Sequence, residues 1–194
     1  MNDAVITPIN VGKLRFDFND VYRLRRDSAY YGHIAHVPIF GYHIQLAGRS
    51  VLVDAVAYNA DGLSEVCGTP DYQPPPTLCE QLRAHGIEPA AIGDVILTHA
   101  HADHYGALSI EIDGTFQPAF PNARHYLNRA DWHPFSFGSL EERTLQLVHQ
   151  HGLLLLVDDI EELDDGLTLF SVSGETQGHQ ILRLVDQGRH FYFA

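Results

Sequence analysis

Asp94-Val95-Ile96-Leu97-Thr98 is a short apolar run that opens directly into His99-Ala100-His101-Ala102-Asp103-His104. A run of this length and composition reads as a buried strand, so three imidazoles and a carboxylate stand where a strand leaves its sheet. In an extended segment residues 99 and 101 point the same way, and two imidazoles can reach one metal ion at about 2.0–2.1 Å. Asp103 and His104, one turn further on, can address a second ion. Neutral imidazole with carboxylate suits zinc best, with iron or manganese also open, because no thiolate is present to force a softer choice. The bland alternative is a polar loop that happens to be rich in histidine. It fits poorly with four such residues placed directly after a buried strand.

The rest of the chain reads as strands in runs with helices between some of them. Leu14–Phe18 alternates with period two, and Tyr42–Leu46 followed by Gly48-Arg49-Ser50 and Val51–Val53 reads as a hairpin. Residues 68–76, with three consecutive prolines, form a loop. Thr77-x-x-Glu80 has the form of a capping box and Gly86 of a stop, which predicts a helix over about 78–85. Ser139-x-x-Glu142 similarly predicts a helix to about His149. Short strands follow at 153–157, 167–172, 181–185 and 190–193, and Arg124–Leu127 is extended. This mixture favours an α+β fold over a doubly wound sheet. At 194 residues, one domain over 1–194 is expected, with 45% apolar and 19% charged residues giving material for a core.

Composition narrows the partners. Lys+Arg 12 against Asp+Glu 25 gives a net charge of -13, which repels a phosphate backbone, so nucleic acid is not an expected partner. No stretch approaches the roughly 20 apolar residues of a membrane helix, and the first residues lack signal-peptide character. A cytoplasmic protein acting on a small molecule is expected. Cys67 and Cys79 are too isolated for a disulfide framework. A Gly-x-Ser-x-Gly elbow, a phosphate-cradling glycine loop and a dinucleotide fingerprint are all absent from the sequence.

Thr98-His99-Ala100-His101-Ala102-Asp103-His104-Tyr105-Gly106 resembles the His-x-His-x-Asp-His signature of the metallo-β-lactamase superfamily. Three further segments agree in order. Val51-Leu52-Val53-Asp54 resembles that family's strand ending in an aspartate, with Ala55-Val56 where Thr-Gly is usual. Gly174-Glu175-Thr176-Gln177-Gly178-His179 resembles its Thr-Pro-Gly-His turn, with Gln177 in place of proline. Phe191–Ala194 resembles the strand that leads into its Gly-Asp.

The resemblance implies an αββα sandwich, with His99, His101 and His179 on a first metal and Asp103 and His104 on part of a second. Asp54 would steady the histidine loop. It implies a metal-dependent hydrolase in which a metal-bound hydroxide, oriented by the catalytic Asp103, cleaves a small ester, lactone or amide. Val37–Tyr42, Phe120–Arg124 and Arg129–Trp132 look similar to N-acyl-homoserine lactonases. By the same resemblance a Gly-Asp and a later histidine should follow Ala194. The C-terminal portion is therefore expected to be missing, through fragmentation or natural truncation, and the last strand is expected to carry uncovered apolar surface. Two alternatives accompany this reading: a metal-binding but catalytically silent module, and a mononuclear iron enzyme of the same fold that uses oxygen.

The remaining histidines read more plainly. His33 and His36 belong to a loop or strand edge, and His149 and His151, two apart at a helix end, diverge. His43, His85, His125, His133 and His190 appear singly. Trp132, Phe135 and Phe137 read as core under a loop or as a substrate wall.

Overall fold

The computed structural model describes residues 4–46, 48–56, 76–133, 138–164 and 166–194. The loop expected over 68–76, apart from Pro76, falls outside these residues, as do Cys67, Phe135 and Phe137. In chain order the strands are β1 (Val5–Asp17), β2 (Ile34–Leu46), β3 (Arg49–Val53), β4 (Asp94–Ile96), β5 (Ser109–Ile112), β6 (Thr115–Pro118), β7 (Arg124–Asn128), β8 (Leu154–Val157), β9 (Ile160–Asp164), β10 (Leu167–Ser171), β11 (Gln180–Asp186) and β12 (Arg189–Phe193). A six-stranded sheet has the order β1-β2-β3-β4-β7-β8, and a four-stranded sheet the order β12-β11-β10-β9. The first is antiparallel through β3 and parallel from β3 to β8. The second is antiparallel throughout.

Period-two alternation in the central strands divides the core into two layers. Leu52, Val95, Leu97, Leu127 and Leu154 face the helices, where they meet Leu78, Leu82, Leu145 and Val148. Val51, Val53, Ile96 and Tyr126 face the opposite way, onto Leu167, Leu169, Leu182, Leu184 and Phe193 of the second sheet. Each fully buried aliphatic side chain contributes roughly 1.5–3 kcal/mol, so continuous apolar runs in β3 and β4 are what a sheet covered on both faces demands. The result is the α+β sandwich that the sequence led us to expect. Arg49 fastens its two sheets together, with Nε donating to the buried Asp94 carboxylate at 2.7 Å and Nη1 donating to the Leu163 carbonyl.

Helix α1 is Phe18–Tyr22, α2 is Leu78–Ala84 and α3 is Ala102–Tyr105. The capping box of α2 is formed in both directions between Thr77 and Glu80, and Gly86 takes φ 76 where the helix stops. The second expected helix differs in detail. Ser139 is already its first residue, and it is Glu141, not Glu142, whose carboxylate accepts from the Gly138 N–H at 3.0 Å. The helix runs on through a π-wound segment, Glu142–Gln146, to Gln150. The β5–β6 hairpin and β9 extend the sequence reading. The hairpin had a signal, since Asp113 and Gly114 take φ 50 and 76 at its turn, as an Asp-Gly type I′ turn requires. On edge strand β12, Phe193 is buried in the intersheet core while Tyr192 is 63% exposed. Among the described residues no helix is long and apolar enough to cross a membrane.

His125 on β7 lies opposite Val95 and Leu154 and is wholly buried on the helix side of the sheet. Burial pushes its pKa down to about 4, against weak support from the backbone of Ala123 and Leu153. The unfolded chain, with an ordinary imidazole, therefore binds the proton more readily. Stability from this group is fully present above about pH 6.5 and is lost as pH falls from there towards 4. Between pH 7 and 5 this costs roughly 2 kcal/mol. His125→Leu is expected to flatten that part of the profile, measured as urea midpoints at the two pH values. An unchanged slope would assign the acid sensitivity elsewhere.

Candidate metal centre

Asp54, the residue after β3, is held at φ 59, and its N–H donates to the Ile96 carbonyl at 2.8 Å. Aspartate tolerates this left-handed turn better than most residues. The turn aims a nearly fully buried carboxylate at the exit of β4. Oδ1 accepts from the Thr98 N–H at 2.8 Å, and Oδ2 accepts from the Thr98 hydroxyl at 3.0 Å and lies 2.9 Å from His104 Nδ1. The expected supporting role of Asp54 thus has a concrete form. With Nδ1 beside Asp54, the other ring nitrogen of His104, Nε2, stands 3.6 Å from Asp103 Oδ2.

His99 is buried directly beneath this pair, its ring centroid 4.0 Å from that of His104, 4.7 Å from His101 and 4.8 Å from His179. His99 Nε2 lies 3.1 Å from His101 Nδ1. Burial, reinforced by the nearby His104, pushes the His99 pKa down to about 4, so at neutral pH it is the uncharged imidazole a metal needs. For His104 burial opposes the charged form, but the hydrogen bond and charge of Asp54 outweigh it and the pKa rises.

His179 arrives from the turn between β10 and β11. Gln180 anchors this turn to the exit of β4, its N–H donating to the Thr98 carbonyl at 2.9 Å and its side-chain amide to the Leu97 carbonyl at 2.7 Å. The structure therefore gathers His99, His101, Asp103, His104 and His179 at one end of the sandwich. Among the described residues one donor group includes a carboxylate beside two of these histidines. Ligand atoms of His99, His101 and Glu175 all lie within 4.8 Å of one another, and His179 is not part of that group.

These residues fit a divalent ion. Among the described residues His179 Nε2 is buried and finds no hydrogen-bond partner, a state that coordination to an ion would relieve. Nitrogen and carboxylate donors without thiolate keep zinc, iron and manganese open.

Two contributors were not legible as site residues. Asp131, in the short 3-10 turn Arg129–Asp131 after β7, is buried between the loop of His99 and His101 and the turn of His179. Its Oδ2 accepts from the Ala100 N–H at 3.0 Å and from the Thr176 hydroxyl at 2.7 Å, while Oδ1 accepts from the Gly178 N–H at 2.7 Å. One carboxylate clamps the loop carrying His99 and His101 to the turn carrying His179. Gly178 is required for this approach, because a Cβ there would lie 2.6 Å from Asp131 Oδ1. Glu175, from the same turn, brings Oε1 to 3.3 Å from His101 Nδ1 and Oε2 to 3.7 Å from His99 Nε2. Neither residue sits in a dense motif; a carboxylate in the Gly-x-x-x-Gly-His turn was the only hint for Glu175.

A two-sheet sandwich with histidines converging at the exit of a central parallel strand, backed by a buried aspartate, defines a metallohydrolase-type centre. The chain belongs to the metallo-beta-lactamase superfamily, whose family model matches residues 37–194. That membership carries the enzyme class of the sequence reading, a metal-dependent hydrolase. No curated protein sequence matches the chain. Among solved structures, a probable metal-dependent hydrolase from Staphylococcus aureus is 18% identical with a TM-score of 0.68, covering 99% of this chain and 72% of its own. An N-acyl homoserine lactone hydrolase, solved with the product N-hexanoyl-L-homoserine at its catalytic metal centre, is 20% identical with a TM-score of 0.65, covering 96% and 72%. A dizinc quorum-quenching lactonase is 14% identical with a TM-score of 0.69, covering 99% and 71%. At these identities the likeness is one of fold.

Proposed function

We propose that this chain hydrolyses a small lactone or ester at a zinc centre, with His99, His101 and His179 on a first ion and Asp103 and His104 on a second. The observation that carries the reading is the buried, unpartnered Nε2 of His179, delivered beside a histidine pair that Asp54 and Asp131 hold in place. Two fold neighbours that are lactonases support the substrate class. When bound, the ions supply Lewis acidity that polarises a carbonyl and acidifies water.

The chain's own residues do the rest. His99, buried and neutral, offers its lone pair without first shedding a proton. Asp54 fixes the His104 ring through Nδ1 and leaves Nε2 as the ligand atom. Asp103, beside that atom, orients the attacking water and takes its proton. Glu175 and the half-exposed His101 line the solvent side, where a small substrate enters.

The test is hydrolysis of an N-acyl homoserine lactone and a simple aryl ester by the chelator-treated and the zinc-restored protein. Turnover should appear only with zinc, and His101→Ala should lower it by about 100-fold or more, about 3 kcal/mol of transition-state stabilisation. A zinc-loaded protein inert towards both the lactone and the ester would leave the metal-binding module as the reading instead.

A further inference from the structure

We propose that Glu175 is itself a ligand of the ion held by His99 and His101, a carboxylate donor on the solvent side of that site. The proposal rests on the metal-centre reading above and adds a residue to it.

The geometry carries the assignment. Donors around a tetrahedral ion with bonds of 2.0–2.2 Å lie roughly 3.3–3.6 Å from one another. His99 Nε2 and His101 Nδ1 are 3.1 Å apart, His101 Nδ1 and Glu175 Oε1 are 3.3 Å apart, and His99 Nε2 and Glu175 Oε2 are 3.7 Å apart. These separations bracket the edge lengths of one coordination polyhedron, with Glu175 presenting a different oxygen to each ring and ligand atoms of the three residues within 4.8 Å of one another. Protons do not explain the convergence as well. A single N–H shared between the two rings satisfies one edge and leaves at least one pair of acceptors facing each other, whereas a cation satisfies all three.

The placement of Glu175 is also imposed by the fold. Asp131 grips Thr176 and Gly178 on either side of Gln177, and Gly174 at φ 133 turns the chain immediately before Glu175. The backbone of the turn is therefore fixed at the neighbours of Glu175, and its side chain, 58% exposed, reaches inward over the histidines. A long polar side chain in water gains little from such a position unless something there attracts the charge.

A carboxylate on this ion has a chemical consequence. It adds a negative charge and, with His179, a fourth protein donor to the site, so water or substrate would bind by raising the coordination number to five or by displacing the half-exposed Glu175.

The experiment measures metal binding directly, with zinc in competition against a chromogenic chelator and with cobalt(II) as an optical reporter, on the full chain and on Glu175→Gln. The glutamine keeps the size of the side chain and removes its charge. Zinc affinity should fall by about tenfold or more, and the visible cobalt bands should shift, while the thermal midpoint of the metal-free variant matches the parent. Equal zinc affinity and an unaltered cobalt spectrum would overturn the assignment. A parent chain that binds neither metal would overturn the metal-centre reading together with it, so the two failures are told apart by the parent alone.

Discussion

Replacing Asp131 with alanine should loosen the metal centre more than any other single change outside the metal-ligand set. The substitution leaves the Gly178 N–H, the Ala100 N–H and the Thr176 hydroxyl without their shared acceptor. Hydrogen bonds to a charged partner are worth roughly 1.5–3 kcal/mol each, and stranding buried donors adds a desolvation cost. A net loss of about 3–4 kcal/mol is expected, because Ala100 and Thr176 can recover water and Gly178 cannot. In a chain of this size that corresponds to a fall in melting temperature of roughly 6–16 °C. Zinc affinity should drop with it, by about 10- to 100-fold, because the two ligand-bearing segments lose their common anchor. Asp131→Asn supplies one acceptor oxygen instead of two and should fall between. Thr176→Val removes one donor only and should lose about 1.5 kcal/mol. A melting temperature and zinc affinity unchanged in Asp131→Ala would show that the turn is held by something else.

Asp54→Asn is expected to act on the other half of the site. Asparagine keeps the shape and tolerates the left-handed backbone at φ 59, so the turn after β3 should survive. It loses the charge, and only one of its two terminal groups can accept. The N–H and hydroxyl of Thr98 and the His104 ring then compete for a single oxygen. His104 loses the partner that fixes its ring, and an amide N–H is turned towards one of these groups. The expected loss is about 2–3 kcal/mol in stability, and affinity for a second ion should fall by about tenfold or more while the first ion is retained. Calorimetric zinc titration separates the two. Equal loss of both ions would mean that Asp54 supports the whole loop rather than His104.

The contrast between these two aspartates explains what the sequence made readable. Asp54 ends an apolar strand, and the family resemblance of Val51-Leu52-Val53-Asp54 is what implies its supporting role. His99, His101, Asp103 and His104 are contiguous because one strand exit presents them, and strand periodicity decides which way the first two point. Asp131 and Glu175 become site residues only through tertiary structure. Asp131 closes a turn 31 residues after the backbone N–H it accepts from, and although Arg129–Trp132 resembles a lactonase segment, that resemblance assigns Asp131 no role. Glu175 lies in a turn with Gln177 where the family it resembles has proline, and the backbone that points it inward is set by Asp131 and Gly174. The fold shows the same division. The helix capped by Thr77 and Glu80 and the strands of the two cores follow from periodicity and caps. The shifted cap at Gly138 and the π-wound segment depend on how the helix packs, with Tyr105 of α3 donating its hydroxyl to Glu141 at 2.6 Å.

The central claim, that these histidines exist to hold metal, is tested most directly by the zinc content of the protein after loading and gel filtration, determined by elemental analysis alongside His101→Ala. Because His101 is half-exposed, the variant should keep the parent fold. The expected content is about one to two zinc ions per chain, with at least one lost in the variant. A parent chain that emerges free of zinc, or a variant that retains the full complement, would contradict it.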